Sequence, residues 1–285
     1  MADTAFQTQY RQEFIAAFEQ HESLLRETVT TEAVIKGNQA VFLVAGSGSA
    51  TAVTRGVNGM IPARPDDLTQ NTCTLQEWHD KVRKTGFNVF ASQGNQREIM
   101  QKTTMAVINR KIDDLIIDQL DTTSVTIGGT GTVPDVSLYQ NGVVKLANAS
   151  VPWDSNVTLL CQPSFLAYLE QAPEFANGAE YVQVRPYAGS DQNASWQDKP
   201  MAYRWRNTLV IQHPNLPGKG GTTEKSFLYH KSAIGHAVDK SGIQSPVGYV
   251  EEDDYSFARA SCYMGSKVLQ GTGIVEIQHD GSAYA

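Results

Sequence analysis

Residues 95–121, NQREIMQKTTMAVINRKIDDLIIDQLD, constrain the fold most strongly, because no Gly or Pro interrupts them. Asn95 and Glu98 have the spacing of a capping box, in which each side chain reaches a free backbone N–H at a helix start. At about 1.5 Å per residue such a helix extends roughly 39 Å. Apolar side chains recur every three or four residues, which predicts a spine helix with a core face formed by Met105, Ile108, Ile112, Leu115 and Ile116.

The composition is that of a folded protein, because 41% of the 285 residues are hydrophobic and 19% are charged. The formal net charge of -7 argues against a sequence-specific nucleic-acid binder, yet it allows the chain to enclose DNA without binding it tightly. Three widely separated cysteines predict neither a zinc site nor a disulfide framework, and they suggest a reducing cytoplasm. No signal-peptide pattern and no apolar run long enough to cross a bilayer is present.

The N-terminal segment carries an unusually aromatic helical pattern over residues 3–27, with Asp3 or Thr4 as the expected cap. A terminal segment is ordered only where it is tied down, so we expect this helix to dock on the body of its own chain or on a neighbouring subunit. The sequence leaves both alternatives open. The docking side chains are expected to be Phe6, Tyr10, Phe14 and Phe18.

Residues 46–67, GSGSATAVTRGVNGMIPARPDD, contain many glycines and few large apolar groups, so they cannot build a core. The pattern before them, from Val29 to Val44, favours strands, and so does the pattern of residues 71–82. Two strands that flank a long Gly-rich segment predict an extended hairpin that projects from the body. Projection onto a neighbouring subunit and a flexible lid both remain open.

The second half of the chain reads as mixed α and β structure. Val157–Cys161 is expected to be a strand, and Ser164 is expected to cap a short helix over residues 165–171. Residues 204–212 are expected to form one strand. Residues 267–278, KVLQGTGIVEIQ, are expected to form a hairpin with a Gly-rich turn.

The sequence lacks the residue patterns that enzymes of the common classes require. It contains no phosphate-binding G-x-x-x-x-G-K-[ST] loop, no G-x-S-x-G elbow and no HExxH pair. The six histidines are therefore assigned to the surface or to strand edges, and the acidic residues 251–254 to a solvated loop rather than a calcium site. The sequence predicts no catalytic residue, no metal and no cofactor.

In element order and in four segments, the chain resembles the major capsid proteins of tailed bacteriophages, whose Hong Kong 97-type fold also occurs in encapsulins. The similar segments are INRKIDDLIIDQL (108–120), LLCQPSFLAYLEQ (159–171), RGVNGMIPAR in the hairpin and VLQGTGIVEIQ near the end. The resemblance implies an α+β fold with an N-terminal arm (1–38) and an extended loop (39–82). It further implies a peripheral domain (83–149 and 226–285, with the spine helix 95–121) and an axial domain (150–225).

The same resemblance implies contacts between subunits. The extended loop lies over the adjacent subunit in that family, and the residues expected to touch it here are Arg55, Asn58, Met60, Ile61 and Arg64. The two arginines are expected to pair with carboxylates on the neighbour, which adds specificity more than affinity. The aromatic residues of the arm are expected to contact another subunit in the same way.

The function that the resemblance implies is self-assembly into hexamers and pentamers of an icosahedral shell around the double-stranded DNA genome of a tailed phage. Expected partners are other copies of the chain, a portal protein at one vertex, separate scaffolding and decoration proteins, and DNA contacted non-specifically, with no membrane. Assembly is expected in the host bacterial cytoplasm and the final location in the virion. Two alternatives remain: an encapsulin-like compartment shell, and an α/β enzyme with Gly46–Gly59 as a mobile lid.

Overall fold

The structure is a computed structural model that describes residues 20, 22–34, 36–47, 50–64, 67–91, 96–176, 181–182 and 202–284. Its α-helices are α1 (Gly86–Ala91), α2 (Gln96–Leu120), α3 (Val136–Asn148), α4 (Pro163–Gln171) and α5 (Pro173–Ala176). Its strands are β1 (Thr30–Val34), β2 (Gln39–Gly46), β3 (Asp67–Thr74), β4 (Gln76–Thr85), β5 (Thr126–Gly128), β6 (Val157–Cys161), β7 (Tyr181–Val182), β8 (Ala202–Trp205), β9 (Thr208–Gln212), β10 (Glu224–His230), β11 (Ile234–Asp239), β12 (Val247–Val250), β13 (Tyr255–Val268) and β14 (Ile274–His279). The described residues thus combine helices and strands throughout, which confirms the α+β class.

Helix α2 is the predicted spine, although the proposed cap Asn95 lies outside the described residues. Ile108, Ile112 and Ile116 are buried as expected, and Leu115 is half-buried against the same core. The prediction for Met105 was wrong, because its side chain is 37% exposed. The core stripe runs through Thr104 instead, and the next position along a helix turns by about 100° toward the solvent.

Helix α2 packs against a sheet that we call the spine sheet. Among the described residues this sheet has five strands in the order β1-β11-β13-β12, with β4 also paired to β13. Strand β1 runs parallel to β11, whereas β4, β11 and β12 run antiparallel to β13. Branched apolar side chains of α2 fill one face of the sheet, so this half of the molecule has a core of its own.

Strands β2 and β3 form the predicted hairpin, paired in register from Gln39↔Thr74 to Gly46↔Asp67. The second predicted strand, residues 71–82, is divided at Leu75, because β4 pairs with β13 in the spine sheet. The base of the hairpin lies on the outer face of that sheet. The Phe42 ring takes the place where Gly235 has no side chain: a Cβ there would lie 2.8 Å from the ring.

The remaining strands form a second sheet in the order β5-β14-β10-β6-β9-β8-β7 within the described residues. Strand β6 is buried at every position, as expected for a strand covered on both faces. Helix α3, which was not predicted, packs on β14 and begins at Val136 after the N-cap Asp135, whose carboxylate accepts from the Leu138 N–H over 2.8 Å. This sheet encloses a separate hydrophobic cluster around Trp205 and Phe165.

Two strand predictions in this half were wrong. Residues 204–212 form the β8–β9 hairpin, because Arg206 and Asn207 adopt positive φ angles of 47° and 63° and reverse the chain. Residues 267–278 do not form a hairpin either: β13 belongs to the spine sheet and β14 to the second sheet. The segment between them instead meets the β10–β11 connection, where the Leu269 N–H donates to the Ala233 carbonyl over 2.8 Å.

Two helix termini also differ from prediction. Helix α4 begins at Pro163 after the N-cap Gln162, and the Ser164 hydroxyl donates to Glu224 rather than capping the helix. The helix predicted over residues 3–27 falls largely outside the described residues, as do Phe6, Tyr10, Phe14 and Phe18. In its described part, residues 22–25 are not helical, and only a 3-10 turn, Arg26–Thr28, follows.

Candidate functional site

The connection between β2 and β3, residues 50–64, is exposed at every position, and we call it the hairpin tip. It contains Arg55, Asn58, Met60, Ile61 and Arg64, and Met60 and Ile61 are 75% and 68% exposed. A turn at its end is closed by the Gly59 N–H donating to the Gly56 carbonyl over 2.9 Å. The Arg64 guanidinium donates to the Ser47 carbonyl over 2.9 Å, which ties the two sides together. The structure therefore gathers the five predicted loop residues on one projecting surface.

The strands of the hairpin carry a second apolar surface that the sequence analysis missed. Alternate residues point to opposite faces of a strand, so Ala40 and Phe42 face the spine sheet while Val41 and Leu43 face outward. Leu68 on β3 lies on the same outward face, because it pairs with Ala45, and Ala45 lies two residues beyond Leu43 on β2. A contiguous exposed apolar surface of this kind marks a protein-protein interaction site.

The buried carboxylate of Asp113, on the spine helix, accepts hydrogen bonds from the N-terminal segment of the chain. Asp113 is fully buried, and its Oδ2 accepts from the Leu24 N–H over 2.9 Å, while Oδ1 accepts from the Leu25 N–H over 3.2 Å. The Ser23 hydroxyl donates to Oδ1 over 2.6 Å, and the Gln20 amide group also donates to Oδ2. Asp113 therefore fixes the point at which the N-terminal segment joins the body.

A histidine completes the surroundings of this carboxylate. The Nε2 atom of His213 lies 3.5 Å from Asp113 Oδ2, and both side chains are buried. The Asn215 N–H donates to Nδ1 over 3.2 Å, so Nδ1 is an acceptor and a ring proton is placed on Nε2, on the side of the carboxylate. The assignment of His213 to the surface was therefore wrong. An aspartate between apolar residues of a predicted core helix was the one available sign of this site.

We expect Asp113→Leu to lower the free energy of unfolding by about 3 kcal/mol or more, because it leaves several buried donors without an acceptor. Urea denaturation measures this change. Limited trypsin digestion at Arg26 reports separately on release of the N-terminal segment. Asp118→Asn on the exposed side of the same helix is the matched control, and equal stability of the two variants would contradict the role of Asp113.

A second buried network links β10, β14 and α4. The Nε2 atom of His279 lies 3.0 Å from the Ser226 Oγ, and its Nδ1 lies 3.6 Å from Glu224 Oε2. The order of groups resembles a Ser-His-acid triad, but Ser226 and His279 have 0% exposure. Gly281 covers Glu224, because a Cβ there would lie 2.0 Å from its carboxyl carbon. The network therefore joins elements of the second sheet and offers no substrate access to Ser226.

Buried histidines were not expected from the sequence, and His236 gives the fold a dependence on pH. Its Nδ1 lies 3.0 Å from the Ser266 Oγ, and burial lowers its pKa to about 4, with Arg26 lowering it further and Asp113 opposing the shift. The pKa of His279 is likewise lowered to about 4 by burial, against the effect of Asp280. Both rings are neutral in the native state at pH 7.

Acidification from pH 6.5 toward pH 4 is expected to destabilise the fold. In that window the unfolded chain binds a proton at His236 and the native state does not, so the contribution of His236 to stability is present above pH 6.5 and falls by about 1.4 kcal/mol per pH unit below it. His279 adds a loss in the same direction. Thermal unfolding midpoints measured across this range test the effect. We expect His236→Asn to show a shallower slope than the parent, and parallel slopes would contradict the assignment.

Metal-binding clusters and membrane-spanning helices are absent from the part of the chain that the structure describes. There, no group of three or more His, Cys, Asp or Glu side chains is placed to hold a metal ion. Cys73, Cys161 and Cys262 are all free and buried. In the same described ranges, no helix has the length and apolar character needed to cross a membrane.

The architecture is shared with solved capsid structures at low sequence identity. A structure from Mycobacterium phage Che8 has a TM-score of 0.72 at 13% identity, covering 97% of this chain and 98% of its own. The capsid of Ralstonia phage GP4 has a TM-score of 0.68 at 11% identity, covering 98% and 96%. The SrpI encapsulin complex of Synechococcus elongatus PCC 7942 has a TM-score of 0.63 at 12% identity, covering 97% and 94%. A search of curated protein sequences gave no match.

The spine helix, the extended hairpin and the two sheets thus define a shell protein with the Hong Kong 97-type capsid fold. The model of the phage capsid protein family matches residues 2–281, and the chain belongs to that family. It is a major capsid protein, a structural component of the virion. This confirms the resemblance stated from the sequence.

Proposed function

We propose that copies of this chain assemble into hexamers and pentamers, which close as an icosahedral shell around the double-stranded DNA of a tailed phage. The observation that carries this proposal is the hairpin, whose outward apolar face and tip are exposed in the part of the chain that the structure describes. Burial of such a surface requires a second copy. Contacts between different surfaces of identical subunits generate closed rings where the rotation permits.

The proposed contacts involve two surfaces. In the hairpin tip, Met60 and Ile61 bury apolar area against the neighbouring subunit, and Arg55, Asn58 and Arg64 form polar contacts with it. In the N-terminal arm, Phe6, Tyr10, Phe14 and Phe18 dock on another subunit. The anchor at Asp113 supports this second contact, because it fixes where the arm leaves the body.

We propose a domain division with two changes from the expected boundaries. The N-terminal arm stays at 1–38, but strand pairing favours an extended loop that ends near Leu75, because β4 joins the spine sheet. The peripheral domain then comprises the spine helix and the spine sheet. The axial domain gains β10 and β14, which pair with each other and, through β10, with β6. It also gains β5, which pairs with β14, and α3, which packs on β14.

Further partners follow from the proposed shell. A portal protein occupies one vertex, scaffolding and decoration proteins are separate chains, and packaged DNA is contacted non-specifically. The net charge of -7 supports weak contact with DNA, since like charge prevents tight binding. Assembly takes place in the cytoplasm of the bacterial host, and the subunit has no catalytic activity.

Negative-stain electron microscopy of the purified protein, alone and with the products of neighbouring genes, tests the proposal. We expect shells, tubes or rings of five or six subunits. The likeness to an encapsulin makes a protein-filled compartment the second candidate, and nuclease-protected DNA in particles from infected cells separates the two. Monodisperse monomers under all these conditions would overturn both candidates.

A further inference from the structure

The hairpin tip carries charge of a single sign. Within residues 50–64 the only ionisable side chains are Arg55 and Arg64, and both are exposed. Arg64 also donates to the Ser47 carbonyl, whereas Arg55 forms no salt bridge with another described residue. Val57, Met60 and Ile61 lie between the two arginines in sequence and are exposed as well. The tip is thus a basic and apolar surface.

A surface with the opposite charge lies in the turn between β12 and β13. This acidic turn consists of Glu251, Glu252, Asp253 and Asp254, which are all exposed. Asp254 is held in place, because its Oδ1 accepts from the Tyr249 hydroxyl over 2.6 Å and its carbonyl accepts from the Gly86 N–H over 3.0 Å. The other three carboxylates form no salt bridge with any residue that the structure describes.

The acidic turn is bordered by apolar side chains. Phe87 is 74% exposed, and Val247 and Tyr249 are also exposed. The adjacent strand β4 carries three cations: Lys81 Nζ lies 5.0 Å from the Phe257 ring centroid, the Arg83 guanidinium lies 4.8 Å from that of Tyr255, and Lys84 Nζ donates to the Gln96 side-chain oxygen. The acidic turn is therefore complementary to the hairpin tip in charge, and both surfaces are partly apolar.

These two surfaces lie at opposite ends of the spine sheet. Strand β13 begins at the acidic turn, and its 14 residues span roughly 45 Å at about 3.3 Å per residue. The hairpin passes the other end of β13, where the Asn71 side-chain amide donates to the Leu269 carbonyl over 3.3 Å. The tip extends still further in the same direction. The two surfaces of one copy are thus held apart, and contact between them requires two copies.

We propose that the hairpin tip of one copy binds the acidic turn of the next copy, with Arg55 and Arg64 paired to Glu251, Glu252 or Asp253. This contact rests on the proposed shell function and specifies where the hairpin lands. It joins two different surfaces head to tail, which is the type of contact that closes rings. The apolar residues around both surfaces supply buried area, and the charge pairs select the register.

Charge reversal with rescue tests the contact. One variant carries Arg55→Glu and Arg64→Glu, a second carries Glu251→Lys and Glu252→Lys, and a third carries all four changes; Asp254 is retained because it holds the turn. We expect each pair alone to lower the assembled fraction about tenfold or more, because like charges then face each other, and the fourfold variant to recover it. Arg55→Glu alone, which removes no contact within the copy, is expected to show an intermediate loss.

Mixing gives an independent measurement. In a mixture of the two defective variants, each reversed tip finds a reversed turn on the other variant, so we expect particles with both variants although neither assembles alone. Lys145→Glu with Lys219→Glu is the matched control, because it makes the same change of net charge at exposed positions elsewhere. Thermal unfolding midpoints close to that of the parent show that the variants fold.

The outcomes separate this contact from the shell function itself. If the parent assembles but the fourfold variant is as defective as either double variant, the contact is overturned and the shell function stands. The same conclusion follows if the parent assembles and the double variants assemble as well as the parent does. Failure of the parent protein to assemble would overturn the shell function and the contact with it.

Discussion

Replacing residues 48–65 by the dipeptide Asn-Gly is expected to abolish shell assembly and leave the folded monomer intact. The remaining strands stay in register up to Gly46↔Asp67, and Asn-Gly favours the tight turn that joins two antiparallel strands. None of the described residues in this range belongs to a hydrophobic core cluster, so we expect the thermal unfolding midpoint to change little. Analytical ultracentrifugation and electron microscopy measure the loss of assembly.

A full-length variant separates the chemistry of the tip from its length. Val57→Ser, Met60→Ser and Ile61→Ser together remove three of the four large exposed apolar side chains of the tip, leave Val53, and keep the chain path. We expect this variant to assemble weakly, because apolar area is lost while both arginines remain. Shells of normal size and yield from the shortened variant would refute an essential role of the hairpin tip in assembly.

Ile112→Asp is expected to prevent folding altogether. Ile112 is 1% exposed in the core between α2 and the spine sheet, where an unpaired carboxylate has no partner and lies beside the buried Asp113. The cost is about 4 kcal/mol or more, a large part of the roughly 5–15 kcal/mol that stabilises a typical domain. Expression in soluble form and circular dichroism measure the outcome.

Met105→Asp on the same helix is the matched control for this prediction. The sequence pattern places both residues in the core, but the structure exposes Met105 and buries Ile112. We therefore expect Met105→Asp to fold with a stability within about 1 kcal/mol of the parent. Equal damage from both substitutions would contradict the orientation of the spine helix.

Local periodicity explains what the sequence predicts well. The spine helix and the β2–β3 hairpin each depend on residues that are close in the chain, so the helix was predicted near its observed bounds and the hairpin was predicted in kind, although its second strand ends at Thr74 and not at Val82. Strand partners depend on residues far apart, so the pattern of residues 267–278 gave no sign that β13 and β14 belong to different sheets. The turn at Arg206 and Asn207 was missed because it contains no glycine.

For the functional surfaces too, the sequence predicts the features that depend on neighbouring residues and misses those that depend on distant ones. The hairpin tip was identified from its Gly-rich composition, and the structure shows it exposed; its contacts with a neighbour stay a prediction. Asp113 was missed, since an aspartate in an amphipathic helix normally faces the solvent. Its burial depends on donors from residues 20–25 that fold back on the helix, and no local pattern encodes that return.

The packing of Cys73 supplies a built-in chemical reporter of the hairpin. Its thiol lies beneath the base of the hairpin, 3.2 Å from the place a Cβ would take on Gly265, and burial raises its pKa. Cys161, in the fully buried strand β6, has its pKa raised to about 12 by burial and supplies an internal reference. The rate at which a thiol reagent labels Cys73 relative to Cys161 therefore measures how often the hairpin lifts from the sheet, before and after assembly, and no cysteine has to be introduced.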